Sequence, residues 1–156
     1  MLRYANVYGP RQDPHGEAGV VAIFFAAALE ARPLRVFGQR TSGDAGCVRD
    51  YVYVGDVARM NLLALSGDVG EMTVNVGSGV PTTTLELARA VLAVTGRDPP
   101  IESAPPRQGD LLVSLLDPSL AERYLGGLVP LARGLELTGS AFAALSAARP
   151  SPATPR

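Results

Sequence analysis

The chain has 156 residues, of which 47% are hydrophobic and 19% charged, with a net charge of -1 and a mean hydropathy of +0.16. That length suits one domain, and the near-neutral balance argues against nucleic acid, whose phosphates call for a clustered excess of Lys and Arg. All 14 basic residues are arginines, so chemistry that needs a lysine amine has no donor in this chain.

Leu2 to Val7 reads as a short strand closing at the turn Tyr8-Gly9-Pro10. His15 stands alone among Pro and Gly, and one histidine with one distant cysteine does not make a metal site. From Glu17 to Ala31 the residues Val20, Val21, Phe24, Ala27 and Ala28 recur at helical spacing, with Pro33 as the stop. The apolar run from Gly19 to Leu29 is too short to span a bilayer, and no basic segment precedes it, so neither an anchor nor an export signal is expected. Leu34 to Phe37 is a brief strand, and Gly38 to Gly46 a polar loop expected to be mobile. Cys47 is the only cysteine, which excludes an intramolecular disulfide and makes a cytoplasmic location the expectation.

Val48 to Val54 has strand composition, with Val48, Asp50, Val52 and Val54 on one face and Arg49, Tyr51 and Tyr53 on the other. Asp50 would need a partner there, and Asp56 fits the N-cap of a helix running to about Leu65. Met72 to Val76 is a strand leading into Gly77-Ser78-Gly79, and Thr83 with Glu86 makes a capping box for a helix through Val94 that Gly96 ends. Ile101 to Ala104 and Leu112 to Leu116 read as short strands around the loop Pro105 to Asp110. Asp117-Pro118 opens another helix, a last helix covers Ala132 to Ala147, and 149–156, rich in proline, is expected to be a disordered tail. Strands alternating with helices make the chain α/β.

The turn Gly77-Ser78-Gly79-Val80-Pro81-Thr82 lies between a strand and a helix, where a dinucleotide fingerprint would sit. Thr82 replaces the third glycine and Pro81 lacks an amide hydrogen, so a structural turn into a capped helix is the favoured reading.

Four segments taken together resemble the extended short-chain dehydrogenases: 2–10 (LRYANVYGP), 48–54 (VRDYVYV), 75–79 (NVGSG) and 106–110 (PRQGD). Within them the likeness is to UDP-glucose 4-epimerases and related NAD-dependent epimerases and dehydratases. It runs from Leu2 to about Thr138 and matches the C-terminal half of such an enzyme. The implied fold is the C-terminal part of an extended Rossmann-type α/β fold, mainly the substrate-binding subdomain, over residues 1–148. The family's glycine-rich NAD loop and its Tyr-x-x-x-Lys pair lie upstream of the matching segment. The fourth residue after each tyrosine here is Tyr8, Gln12, Gly55, Val57 or Leu128, never lysine. With an unperturbed pKa of about 10, a tyrosine without a neighbouring cation is a poor base at neutral pH. No catalytic residue is therefore assigned, NAD is a cofactor by family only, and the chain by itself is expected to be inactive.

The resemblance also implies roles at the substrate. Arg49 and Arg107 take the diphosphate-clamping positions, where planar guanidinium forks suit phosphate oxygens. The plain alternatives are a salt bridge to Asp50 or a solvated strand face for Arg49, and a solvated loop arginine at 107. Asn6 takes the place of an amide donor to the sugar nucleotide, or is a turn asparagine bonded to backbone. Tyr4 aligns with an aromatic near the nicotinamide, and Phe37 lies on the strand set against the nucleobase; each could equally be core. Val20 opens the helix that covers the nucleotide, with packing as its other role, and Asp110 resembles the acid beside the ribose, with a loop cap as its alternative.

Two charge-assisted contacts give roughly 3–6 kcal/mol, whereas micromolar affinity needs about 8.2, so weak UDP-sugar binding near millimolar is expected. The expected partners are a UDP-sugar and either a missing N-terminal half or a second copy of the chain, with no membrane. The other readings are a non-catalytic UDP-sugar module and a non-functional fragment exposing apolar surface. Beyond about residue 126 the sequence departs from the family pattern.

Overall fold

In the computed structural model the described residues are 1–15, 19–70 and 73–148, with 147 and 148 described by backbone only. The expected tail, 149–156, lies outside them, as do Glu17 and Met72.

The N-terminal strand divides. β1 (Leu2–Tyr4) runs parallel to β6 (Val74–Val76), and β2 (Asn6–Tyr8) runs parallel to β5 (Tyr51–Tyr53). The change of partner falls at Ala5, whose N–H donates to the Val76 carbonyl at 3.0 Å, while the next N–H, of Asn6, donates to the Asp50 carbonyl at 2.9 Å. A single strand from Leu2 to Val7 is thus corrected to two strands that serve different neighbours. Two further pairs complete the strand set. β3 (Leu34–Phe37) is parallel to β8 (Ile101–Ala104), and β4 (Val48–Arg49) lies between antiparallel β7 (Thr82–Thr83) and parallel β9 (Val113–Ser114).

Five helices accompany these strands among the described residues. α1 (Val20–Leu29) starts later than the apolar pattern suggests, and α2 (Val54–Ser66) starts earlier, taking Val54 out of the expected strand. The N-cap of α2 is Tyr53 and not Asp56, which sits in the first turn and accepts from the Val129 amide at 2.8 Å and from Arg59 at 3.0 Å. α3 (Thr84–Thr95) carries the capping box as read, with Glu86 N–H donating to the Thr83 hydroxyl and the Glu86 carboxylate accepting from the Thr83 amide. Gly96 ends it in the left-handed region that glycine adopts without a Cβ penalty. α4 (Ser119–Leu125) begins one residue after Pro118, with Asp117 accepting from the Ser119 amide at 3.0 Å, and α5 (Leu131–Ala148) closes the described chain.

β5 separates two apolar cores because its side chains alternate, as strand geometry requires. Tyr51 joins Tyr8, Phe24, Phe25, Leu87, Leu135 and Phe142 in the core of α1, α3 and α5. Val52 joins Val57, Met60, Val74, Val76 and Leu125 in the core of α2 and α4. Phe25 and Phe142 stack at 5.5 Å between centroids, fixing α5 on α1.

The loop expected to be mobile is gathered by one carboxylate. Asp44 accepts from the amides of Gln39 (2.6 Å), Arg40 (2.8 Å), Thr41 (2.9 Å) and Gly46 (2.9 Å). These bonds favour the charged form and hold the Asp44 carboxyl far below its ordinary value. None of the helices among the described residues is long and apolar enough to cross a membrane.

Candidate functional site

A cleft of about 790 Å³ opens between the N-terminal half of α1, the outward face of β3, the segment from Cys47 to Tyr51 and the loop after β8. Asn6, Val20, Phe37, Arg49, Arg107 and Asp110 all line it, so the two arginines, 58 positions apart in sequence (107 minus 49), face one space. Tyr4 is not brought there. It is exposed, and its hydroxyl donates to the Asn61 side chain of α2 at 3.0 Å.

The alternation of β3 explains part of the wall: Leu34 and Val36 point into the core, which leaves Arg35 and Phe37 facing the cleft. Phe37 carries the Arg107 guanidinium 3.7 Å above its ring centroid. Arg49 is held differently, donating from one terminal nitrogen to the carbonyls of Val48 (3.0 Å) and Leu111 (2.6 Å). Among the described residues neither arginine pairs with a carboxylate, so both keep positive charge available to an anion. The Asn6 side-chain amide donates to the Asp50 carbonyl at 2.9 Å, which leaves its oxygen and a second hydrogen uncommitted. Val20 lines the cleft and also packs on the first core.

The alternative reading of Arg49, a salt bridge to Asp50, is not realised, because Asp50 turns the other way. Its carboxylate is buried and accepts from the Ser78 amide and hydroxyl (both 2.7 Å), the Gly79 amide (3.1 Å) and the Leu116 amide (3.4 Å). This accounts for the glycine turn. A Cβ on Gly77 would collide with the Asp50 carboxylate, and Gly79 adopts φ +68° against Pro118. The amides of Ser78 and Gly79, which a dinucleotide diphosphate would require, are already donated to Asp50. The turn therefore does not fit NAD.

The sequence reading missed several lining residues. Arg35 could have been found from the period-two pattern that marks Phe37, and Tyr51 lies two residues beyond Arg49 on the same face. The Tyr51 hydroxyl is buried with no hydrogen-bond partner among the described residues, and burial pushes its pKa up to about 12. Such a phenol is ionised at neutral pH less than one in water. Arg35 pairs with Glu102 across the β3–β8 register at 3.6 Å, an exposed contact of small energetic weight. A second cleft, about 730 Å³, lies against the other side of α1 and the end of α5, but its walls are mainly apolar and contain neither Arg49 nor Arg107.

Comparison with known proteins agrees with this architecture. The NAD dependent epimerase/dehydratase family matches residues 1–77. The UDP-glucose 4-epimerase of Mycolicibacterium smegmatis is 46% identical over 140 residues, covering 88% of this chain and 43% of that protein. The crystal structure of Thermus thermophilus UDP-glucose 4-epimerase in complex with NAD superimposes with a TM-score of 0.83 at 49% identity, over 91% of this chain and 45% of that one. The UDP-glucose 4-epimerase of Thermotoga maritima with UDP-glucose gives 0.82 at 46%, over 93% and 46%. The chain thus spans less than half the length of these relatives. With sequence, fold and segment order in agreement, the chain belongs to the NAD-dependent epimerase/dehydratase family, among proteins like the UDP-glucose 4-epimerases.

Proposed function

We propose that this chain forms the nucleotide-sugar-binding part of an NAD-dependent, UDP-glucose 4-epimerase-like enzyme, with the cleft between α1, β3 and the loop after β8 as the seat of the UDP moiety. The observation that carries the reading is the convergence of Arg49 and Arg107 on one cleft, neither of them ion-paired with a carboxylate among the described residues. Two guanidinium groups opposite a diphosphate provide charge-assisted, fork-shaped contacts that a flexible ammonium cannot reproduce. Asp110, exposed in the cleft lining, is assigned to a ribose hydroxyl, and the backbone of β3 at Phe37 is set against the base. Asn6 offers its remaining amide hydrogen and its oxygen toward the sugar end.

The chemistry assigned to these residues is binding and orientation. Hydride transfer in the family belongs to NAD, which the Gly77–Gly79 turn does not fit, and the Tyr51 phenol, raised by burial, is not assigned as a base. The test is a titration of UDP-glucose and UDP by nuclear magnetic resonance into wild type and Arg107→Ala. Saturable shifts at residues of the cleft are expected in wild type, with binding weakened by about 2–3 kcal/mol in the variant as one charged contact is lost. Equal affinities, or shifts confined to the apolar cleft beside α5, would refute the assignment.

A further inference from the structure

The two arginines of the cleft are held by different means. Arg49 is fixed by two carbonyl acceptors, so part of its donor set is committed to the protein. Arg107 lies on an exposed loop, and no carboxylate among the described residues lies within ion-pair distance of it. What it does have is the face of Phe37 at 3.7 Å. A guanidinium lying over a ring is attracted through its π-face, and all its N–H groups point outward in its own plane. Stacking therefore restricts where the cation sits without occupying a single donor.

The backbone favours this placement. Phe37 is paired in register with Ala104, the last residue of β8, so the chain leaves β8 directly beside the ring. Pro105 and Pro106 follow, whose rings fix φ and stiffen the exit, and Arg107 comes next. The loop then bends back, with the Asp110 amide donating to the Arg107 carbonyl at 3.4 Å and Gly109 at φ +85°. Leu111, one residue on, supplies the carbonyl that holds Arg49. One short loop thus bears one cation and anchors the other.

We propose that Phe37 is a positioning residue: its ring holds the Arg107 guanidinium over its face at the wall of the cleft, with its donors free for the oxygens of a nucleoside diphosphate. This rests on the diphosphate role of Arg107 given above and adds to it a function for the Phe37 side chain that is exercised through the arginine, not through the base.

The experiment compares wild type, Phe37→Leu and Phe37→Tyr, each titrated with UDP and with inorganic pyrophosphate, which has no base. Phe37→Leu is expected to weaken both ligands by a similar factor, roughly two- to tenfold, and Phe37→Tyr, which restores the ring face, to recover most of the loss. The Arg107 Nε–H resonance gives a readout that needs no ligand: ring current shifts it upfield in wild type and Phe37→Tyr, and the shift disappears in Phe37→Leu. A Phe37→Leu loss confined to UDP would overturn the inference, because the ring would then act on the base. Unchanged affinities in Phe37→Leu, or no ring-current shift in wild type, would also overturn it. If the shift is present but wild type binds neither UDP nor pyrophosphate, the reading of the cleft as a diphosphate site fails while the stacking stands.

Discussion

Replacing Asp50 with asparagine isolates the group on which the glycine turn is built. The carboxylate is 1% exposed and each oxygen serves two donors, Oδ1 the amide and hydroxyl of Ser78, Oδ2 the amides of Gly79 and Leu116. Asparagine retains one acceptor oxygen. Its better placement keeps that oxygen on Ser78, where both bonds measure 2.7 Å, and turns the NH₂ toward the other two amides, donor facing donor. Leaving a buried donor unsatisfied costs about 1–3 kcal/mol, and the 3.4 Å bond from Leu116 is too long to contribute as much as the 3.1 Å bond from Gly79. The expected loss is about 2–4 kcal/mol, a large part of the roughly 5–15 kcal/mol that stabilises an ordinary domain. Urea unfolding would show it as a lower midpoint at unchanged slope. A loss below about 1 kcal/mol would mean that these amides do not depend on the carboxylate, and the account of the turn would fail.

Tyr51→Phe deletes a buried hydroxyl that has no partner among the described residues, so thermal unfolding should show a gain of about 1 kcal/mol, and a loss would reveal an unseen acceptor. The same variant tests the alkaline limb. A phenol raised from 10.0 to about 12 adds stability below its unfolded value that is lost as the pH rises from about 10 to 12, and this loss should be smaller in Tyr51→Phe. At the acid end the sign reverses. Asp44 is held below its ordinary 3.8 by four backbone donors, so its contribution is present above that value and disappears as pH falls below it. The difference in melting temperature between wild type and Asp44→Asn should therefore shrink as pH is lowered from about 5 to about 2, and a constant difference would contradict the role given to that carboxylate.

Much of the architecture could be read from local patterns. The capping box at Thr83 and Glu86, the glycine end at Gly96 and the strand Leu34–Phe37 all depend on residues within one turn or one strand of each other. What could not be read depends on distant partners. No periodicity in Leu2 to Val7 announces that Ala5 bonds to Val76 while Asn6 bonds to Asp50. Nor does the neighbourhood of Arg49 and Asp50 in sequence reveal that the acid is drawn away by Ser78, Gly79 and Leu116. For the cleft, the resemblance selected Asn6, Val20, Phe37, Arg49, Arg107 and Asp110, from five separated stretches of sequence that the fold brings to one cleft. Tyr4, selected for the nicotinamide side and not for the substrate, belongs to β1 and follows β6 and α2, away from the cleft. Tyr51 and Arg35 were passed over because each reads as an ordinary strand residue until the alternation of its strand is set against the two cores.

The side-by-side pair Tyr51 and Val52 has an evolutionary corollary. One of them belongs under α1 and the other under α2, and the strand that bears them is only three residues long. An extra codon between Arg49 and Tyr51 would present a phenol where an isopropyl group fits and the reverse on the opposite side, so both interiors would be wrong at once. Drift in this stretch can exchange one side chain for another of similar bulk, but it has almost no freedom to lengthen or shorten.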